Sequence, residues 1–329
     1  MNIWIDIKNS HEPLFFKTLI SNLKYNFQVT SRSFGEVQDL LNLYKIPHQR
    51  IGGRSEGSMF FRKLDFIIRV LRLLVNTDKF DVSLSHSSIW AVYASYLKGK
   101  KTISFSDNEI SSEINKSHFK YLDFLFYPDC IPKETLLEQG ILENNLVPYP
   151  GYKEDIYVSS YKPDPYFLEN LPFKNYVVIR PESNQAFYVK NKKSIVRSLI
   201  TKLLLNGFNI VYLPRYKSHH SLINDDKRIY IPKSALNGLD LCYYSQGVAT
   251  GAGTLSREAA CLGKPAISFF PEKEMLSVDK SMIKNKFVIH SRNPDEIIFN
   301  LKNSSNFRRR SKENKTLEYV LMKLKQLLE

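Results

Sequence analysis

The chain opens on Asn2–Ile7 (NIWIDI), a run of β-branched and aromatic positions that reads as a short strand, and then changes period. Beyond the polar joint Lys8-Asn9-Ser10-His11, the apolar residues Phe15, Phe16, Leu19, Ile20 and Leu23 recur on one helical face. The rhythm repeats with a strand at Phe27–Thr30, a helix at Glu36–Tyr44 and a strand at Ile46–Ile51. Phe80–Ser85 and Lys101–Phe105 are further strands, separated by a helix, Ile89–Leu97, with a small-residue face at Ala91, Ala94 and Ser95. Short strands alternating with helices predict parallel sheets covered on both faces. Pro148, Pro150, Gly151, Pro163, Pro165 and Pro172 then interrupt the pattern. It resumes with strands at Tyr176–Ile179, Asn209–Leu213, Gly247–Ala249 and Ala266–Phe270, interleaved with helices at Ser194–Leu205, Leu239–Ser245 and Leu255–Leu262. The expected fold is α/β, with two Rossmann-like, doubly wound parallel-sheet domains facing an interdomain cleft. The expected boundaries are 1–155 for the first domain, 156–175 for a Pro-rich linker, 176–305 for the second domain and 306–329 for a basic segment with a terminal helix.

A helix at Met59–Val75 carries an apolar stripe of Phe60, Phe61, Leu64, Ile67, Ile68, Leu71, Leu74 and Val75, with Arg62, Lys63, Arg69 and Arg72 off it. Such a stripe ordinarily covers a sheet and becomes core. The same pattern also fits a basic amphipathic helix lying on an anionic membrane surface.

Composition narrows the class. With 329 residues, 43% hydrophobic, 24% charged and 13% aromatic, the chain fits a packed globular protein of about two domains. Cys130, Cys242 and Cys261 are widely separated and form no CxxC, which argues against a disulfide framework or structural zinc and for a reduced, cytoplasmic setting. The amino-terminal residues lack the apolar region of a secretory signal, and no apolar run is long enough to span a membrane.

The net charge of +14 is unevenly placed: residues 1–150 hold 18 basic and 16 acidic residues, and the remainder hold 29 and 17. The excess gathers in Arg180–Lys217 and in Lys302–Lys315, which includes Arg308, Arg309 and Arg310. Nucleic acid is a poor fit for that excess, since the tail has no interleaved aromatics and no recognition motif. Lys302–Lys315 and Met59–Val75 are the two segments suited to peripheral contact with the inner face of a plasma membrane.

Candidate chemistry collects where strands end. Gly251-Ala252-Gly253-Thr254 leads from a strand into a helix, so backbone N–H groups and the helix dipole favour phosphate there. Arg257 follows, and Glu258 lies one turn into that helix, placed to reach sugar hydroxyls; the plain alternative is a tight turn that needs glycine. Arg180 and Glu182 end one strand, and Arg215 and Tyr216 follow the next; two arginines at successive strand ends suit a diphosphate, whereas either alone is ordinarily a surface charge. In the first half, His11, His86 and Asp107-Asn108-Glu109 follow three strands. His11 is the first candidate general base, with Asp107 and Glu109 as rivals, although a lone histidine is more often structural.

Together these residues resemble a prokaryotic family, domain of unknown function 354. The match runs in order through Trp4-Ile5-Asp6-Ile7, His11, Phe16-Lys17, Leu84-Ser85-His86, Asp107-Asn108-Glu109, Tyr149-Pro150-Gly151-Tyr152-Lys153-Glu154, Val178-Ile179-Arg180-Pro181-Glu182, Leu213-Pro214-Arg215-Tyr216 and Gly251 to Ala260. That family looks like a relative of two GT-B enzymes, the N-acetylglucosaminyltransferase that completes the lipid-linked peptidoglycan precursor and the non-hydrolysing UDP-N-acetylglucosamine 2-epimerase. The resemblance implies a GT-B-like fold whose terminal helix returns to the first domain.

It further implies metal-independent, inverting transfer from a nucleotide sugar, a UDP-sugar, to a cell-surface glycan or lipid-linked acceptor. The nucleotide sugar is a substrate, and no cofactor is implied; no Asp-x-Asp motif is present. His11 matches the histidine that ends the transferase's glycine-rich loop, whose glycines are replaced here by Lys8, Asn9 and Ser10. His86, Asn108 and Lys17 are the acceptor-side candidates. The epimerase has His-Gly-Asp where this chain has His86-Ser87-Ser88. Epimerisation is therefore the second reading, and polyanion binding without catalysis the third.

Overall fold

The computed structural model describes residues 1–53, 58–182, 194–271, 274–310 and 314–329. Ser183, the rest of 183–193 within the basic stretch Arg180–Lys217, residues 311–313 of Lys302–Lys315 and the Met59 side chain lie outside the described residues. The chain divides into two compact units, 1–157 with 276–278 and 314–329, and 158–275 with 279–313.

In the first unit the chain runs β1 (Asn2–Ile7), α1 (Glu12–Asn22), β2 (Asn26–Ser33), α2 (Val37–Leu43), β3 (Gln49–Gly53), α3 (Met59–Asn76), β4 (Val82–His86), α4 (Ile89–Leu97), β5 (Lys101–Phe105), α5 (Ser112–His118), β6 (Phe124–Pro128), α6 (Lys133–Leu137), β7 (Leu146–Tyr149) and α7 (Lys153–Val158). The described strands form one parallel sheet in the order β3-β2-β1-β4-β5-β6-β7. β1 and β4 are central and covered on both faces, which is why Trp4, Ile5, Ile7 and Leu84 are all buried. The small-residue face of α4 lets that helix lie close on β4, where Ser95 Oγ donates to Ser83 Oγ at 2.7 Å. β6 and β7 escape the sequence pattern because each contains a proline. The strand order reverses between β1 and β4, and such a reversal opens a crevice beyond the carboxyl ends of the strands.

α3 departs from the expectation that its stripe is core. Phe66, Val70 and Leu73 face the sheet, whereas Phe60, Phe61, Leu64, Ile67, Leu71 and Val75 are exposed. Arg69, counted off the stripe as polar, is buried. The reason is Asp6 on β1: the Arg69 guanidinium donates to both of its carboxylate oxygens, at 2.8 and 3.1 Å. Thr30 Oγ1 and Ser88 Oγ also donate to Asp6, and the guanidinium stacks on Trp90 at 4.6 Å from the ring centroid. Removing one partner of a buried pair strands the other charge. Arg69→Met is expected to cost about 3–5 kcal/mol in urea unfolding, with Asp6→Asn added in the same chain recovering part of the loss.

The second unit contains β8 (Val177–Arg180), α8 (Val196–Leu205), β9 (Ile210–Tyr212), β10 (Ile229–Tyr230), α9 (Gly238–Tyr244), β11 (Gly247–Thr250), α10 (Gly253–Cys261), β12 (Ala266–Ser268), most of α11 (Ser277–Lys284), β13 (Ile289–His290) and α12 (Pro294–Lys302). Its described strands are parallel in the order β10-β9-β8-β11-β12-β13, so the reversal here falls between β8 and β11. Leu199, Leu203 and Ile297 on the covering helices pack with Val177, Ile210 and Ile267 on the strands.

Residues 158–175, expected as linker, pack within this unit. Phe167 stacks on Tyr244, and Asp240 accepts from the Tyr161 hydroxyl and from Asp164 N–H. The terminal helix α13 (Lys315–Leu328) belongs to the first unit, buries Leu317, Val320 and Leu324, and donates from Thr316 Oγ1 to Pro150 O at 2.8 Å. Among the described residues, no helix is long and apolar enough to cross a membrane.

Candidate functional site

In the first unit, the reversal between β1 and β4 gathers His11 from the joint after β1, His86 from the carboxyl end of β4 and Asp107 from the joint after β5. The His11 and His86 rings meet edge to face at 5.1 Å between centroids, and His86 Nε2 lies 3.5 Å from Asp107 Oδ1. Asp107 Oδ2 accepts at 2.8 Å from Lys153 Nζ, a fully buried ammonium that also lies 3.8 Å from Glu154 Oε1. The turn before α7 delivers that lysine. Gly151 has φ of +83°, and a Cβ there would come within 2.6 Å of Asp155 Oδ2 and 2.9 Å of Thr316 Oγ1.

These surroundings fix the protonation states. Burial, reinforced by the Lys153 charge, holds the His11 imidazole well below its ordinary pKa, and the same two causes push His86 down to about 3. Both rings are therefore neutral at physiological pH. His11 Nε2 is buried and has no hydrogen-bond partner among the described residues. Glu12, at the start of α1, is pushed up to about 7 by burial, although its carboxylate accepts from Lys8 N–H at 2.7 Å and Asn9 Nδ2 at 2.9 Å. His11, Glu12 and His86 bring possible metal-ligating atoms within 4.8 Å of one another. Both Glu12 oxygens are already occupied, however, and the field of Lys153 and Lys8 that depresses the imidazoles opposes a cation and favours an anion.

The other first-half candidates sit apart from this cluster. Glu109 Oε1 accepts from Ser277 N–H, and Asn108 Oδ1 accepts from Ser111 N–H ahead of α5. Lys17 is exposed on α1 over the Tyr44 ring.

In the second unit the reversal between β8 and β11 brings Arg180 beside the Gly251–Thr254 segment. Gly251 N–H donates to Arg180 O at 3.0 Å, and a Cβ on Gly251 would lie 2.5–2.8 Å from Glu182 atoms, so this glycine is required by close packing. Ala252 N–H donates to Thr250 Oγ1, and no side chain caps α10, whose first-turn N–H groups lie beside the strand ends. Two candidates have internal duties. Arg257 is buried and donates to Asp279 Oδ1 at 2.7 Å, and Glu182 accepts from Ser194 Oγ and Ile195 N–H and pairs with Arg292. Glu258 is half-buried, with Oε2 near the start of α9 at Gly238.

Arg215 and Tyr216 follow β9 and are joined by His219, which sequence reasoning missed. Arg215 N–H donates to His219 Nδ1 at 3.2 Å, so the proton resides on Nε2, which is buried without a partner among the described residues. Lys153, Glu12 and His219 gave no separate signal because their importance lies in burial beside other charges. Only the position of Lys153, just after a Pro-Gly turn, hinted at it.

A fold of two parallel-sheet units, each with polar side chains gathered at a strand-order reversal, defines a GT-B-like α/β protein. The family model described as "Protein of unknown function (DUF354)" matches residues 1–325, and the chain belongs to that family. It is 28% identical over 313 residues to uncharacterized protein MJ0665 of Methanocaldococcus jannaschii, covering 91% of this chain and 90% of that one. Among solved structures it is similar to the UDP-GlcNAc 2-epimerase of Methanocaldococcus jannaschii in complex with UDP-GlcNAc and UDP, with 15% identity, a TM-score of 0.72 and coverage of 100% and 99% of the two chains. It is also similar to Anabaena Alr3699/HepE in complex with UDP and glucose, with 12% identity, a TM-score of 0.62 and coverage of 100% and 98%.

Proposed function

We propose that this protein is a UDP-sugar enzyme that transfers the sugar, with inversion, to an acceptor hydroxyl. The observation that carries this reading is the His11 imidazole, held neutral by burial and the Lys153 charge, whose Nε2 has no hydrogen-bond partner among the described residues. A neutral ring accepts a proton, and a nearby fixed cation steadies the anionic charge that develops as it does so. The acceptor O–H gives its proton to His11, and the oxygen bonds to the anomeric carbon. The bond from that carbon to the diphosphate breaks, and its electrons pass to the leaving phosphate oxygen. Arg180, Arg215 and the N–H groups that open α10 are the groups in the second unit suited to holding that charge, with Glu258 turned to ribose hydroxyls. The fold likeness to proteins solved with UDP, UDP-GlcNAc or glucose supports the donor class.

Epimerisation at C2 is the second reading, favoured by Asp107 and Glu154 flanking Lys153. Against it, the residue two after His86 is Ser88, buried and donating to Asp6 at 2.6 Å, where the epimerase pattern calls for an aspartate.

The test is a thermal-shift panel of nucleoside diphosphates and their sugars. UDP at about one hundred times its Kd adds about 2.7 kcal/mol and raises Tm by several degrees, and Glu258→Ala removes most of that shift. Incubating the best sugar nucleotide without acceptor then separates the two enzymes, because a C2 epimer appears only for an epimerase. No shift with any nucleotide, together with salt-sensitive binding to unrelated DNA, would replace both readings by polyanion binding.

A further inference from the structure

We propose that the outer face of α3 docks the protein on an anionic lipid surface. α3 is apolar on two sides. Phe66, Val70 and Leu73 meet the first unit's core, while the opposite face presents Phe60, Leu64, Ile67, Leu71 and Val75, with Phe60 70%, Ile67 53% and Val75 83% exposed. A helix that only covers a sheet keeps its outer face polar, so this face is built to meet an apolar partner. α4 packs alongside, with Phe66 against Trp90 and Tyr93, and adds exposed Tyr96 and Leu97.

Charge selects the occupant. Lys63 and Arg72 are exposed on either side of the apolar row, Arg62 is exposed in the helix's first turn, and Asp65 is the one exposed acid on the helix among the described residues. The fourth basic residue, Arg69, is consumed by Asp6 inside the fold. A twofold pairing of α3 with a second copy sets like charges together in either helix direction: Lys63 opposite Arg72 when antiparallel, and each opposite itself when parallel. A bilayer carrying anionic headgroups accepts the apolar row in its interface and pairs with the flanking cations.

The experiment is flotation of the full chain with phosphatidylcholine vesicles containing about one third phosphatidylglycerol, and with phosphatidylcholine alone. The expected result is binding to the anionic vesicles only, reduced at least about tenfold by Ile67→Asp with Leu71→Asp, and similarly by Arg62→Glu with Lys63→Glu and Arg72→Glu. All these positions are exposed, so unchanged thermal melting certifies the folded variants. Arg309→Glu, in the other basic segment, leaves binding intact. Loss of binding in Arg309→Glu but not in the α3 variants overturns the assignment. So does a solution dimer that ignores vesicles and dissociates in Ile67→Asp with Leu71→Asp, which gives the face to a second copy. The readout is partitioning, so failure of the catalytic proposal leaves it untouched.

Discussion

Replacing His11 by alanine is expected to lower kcat by about two to four orders of magnitude, the usual contribution of a positioned general base, while leaving the affinity for UDP within about twofold. The donor-holding groups are on the second unit, so UDP binding measured by calorimetry has no reason to follow His11. The pH dependence gives an independent check. Burial and Lys153 hold the imidazole well below its ordinary value, so the ring is already a base at every pH above that depressed pKa. The acid limb of the rate profile therefore falls below the ordinary imidazole range, instead of near pH 6.5. Its protonation also links to stability. An imidazole held neutral in the native state but free to protonate when unfolded makes the protein less stable as the pH falls below 6.5. His86, held at about 3, acts in the same direction, whereas Glu12, raised to about 7, opposes them by taking up its proton earlier in the folded chain. An alanine variant with unchanged kcat would remove His11 from the chemistry and pass the role to Asp107.

Strand and helix identity was legible along most of the chain because parallel strands buried on both faces show as β-branched runs, as Asn2–Ile7 and Tyr176–Ile179 do. The rim was legible for a related reason. In such sheets chemistry collects at the carboxyl ends of strands, so residues at or just beyond those ends, His11, His86, Asp107 and Arg180, are the ones the fold brings to the two reversals. What periodicity could not display was direction and partnership. The α3 pattern has apolar residues enough for two faces, and only Asp6 on a distant strand decides that Arg69 turns inward and most of the stripe turns out. Arg257 and Glu182 carry charges that suit a diphosphate or a sugar, yet Asp279, from 22 residues on, and the start of α8 claim them. Lys153 is the largest such case, since nothing in Gly-Tyr-Lys-Glu says that the ammonium is buried between carboxylates.

Lys153→Met is expected to be the most destabilising single change in the first-unit rim. The ammonium is 1% exposed and neutralises Asp107 at 2.8 Å, with Glu154 at 3.8 Å. Methionine fills a similar volume but removes the ammonium and leaves the Asp107 carboxylate buried beside the neutral His86, at 3.5 Å. Stranding one member of a buried pair costs about 3–5 kcal/mol, which urea unfolding at neutral pH reads directly. The deficit has a sign in pH. Without the ammonium, the Asp107 carboxyl binds its proton more readily in the folded chain than in the unfolded one, so the variant recovers stability as the pH falls. Asp107→Asn added to Lys153→Met removes the stranded charge and is expected to restore part of the loss at neutral pH as well. The imidazoles report the same event. Lys153 is the largest charge effect on both rings but ranks behind burial, so in the variant the His86 pKa climbs from about 3 without reaching the ordinary value. A histidine titration followed by NMR distinguishes this from simple unfolding. A His86 signal that stays near 3 in a folded variant would mean that burial alone sets the ring, and the electropositive floor assigned to this rim would have to be abandoned.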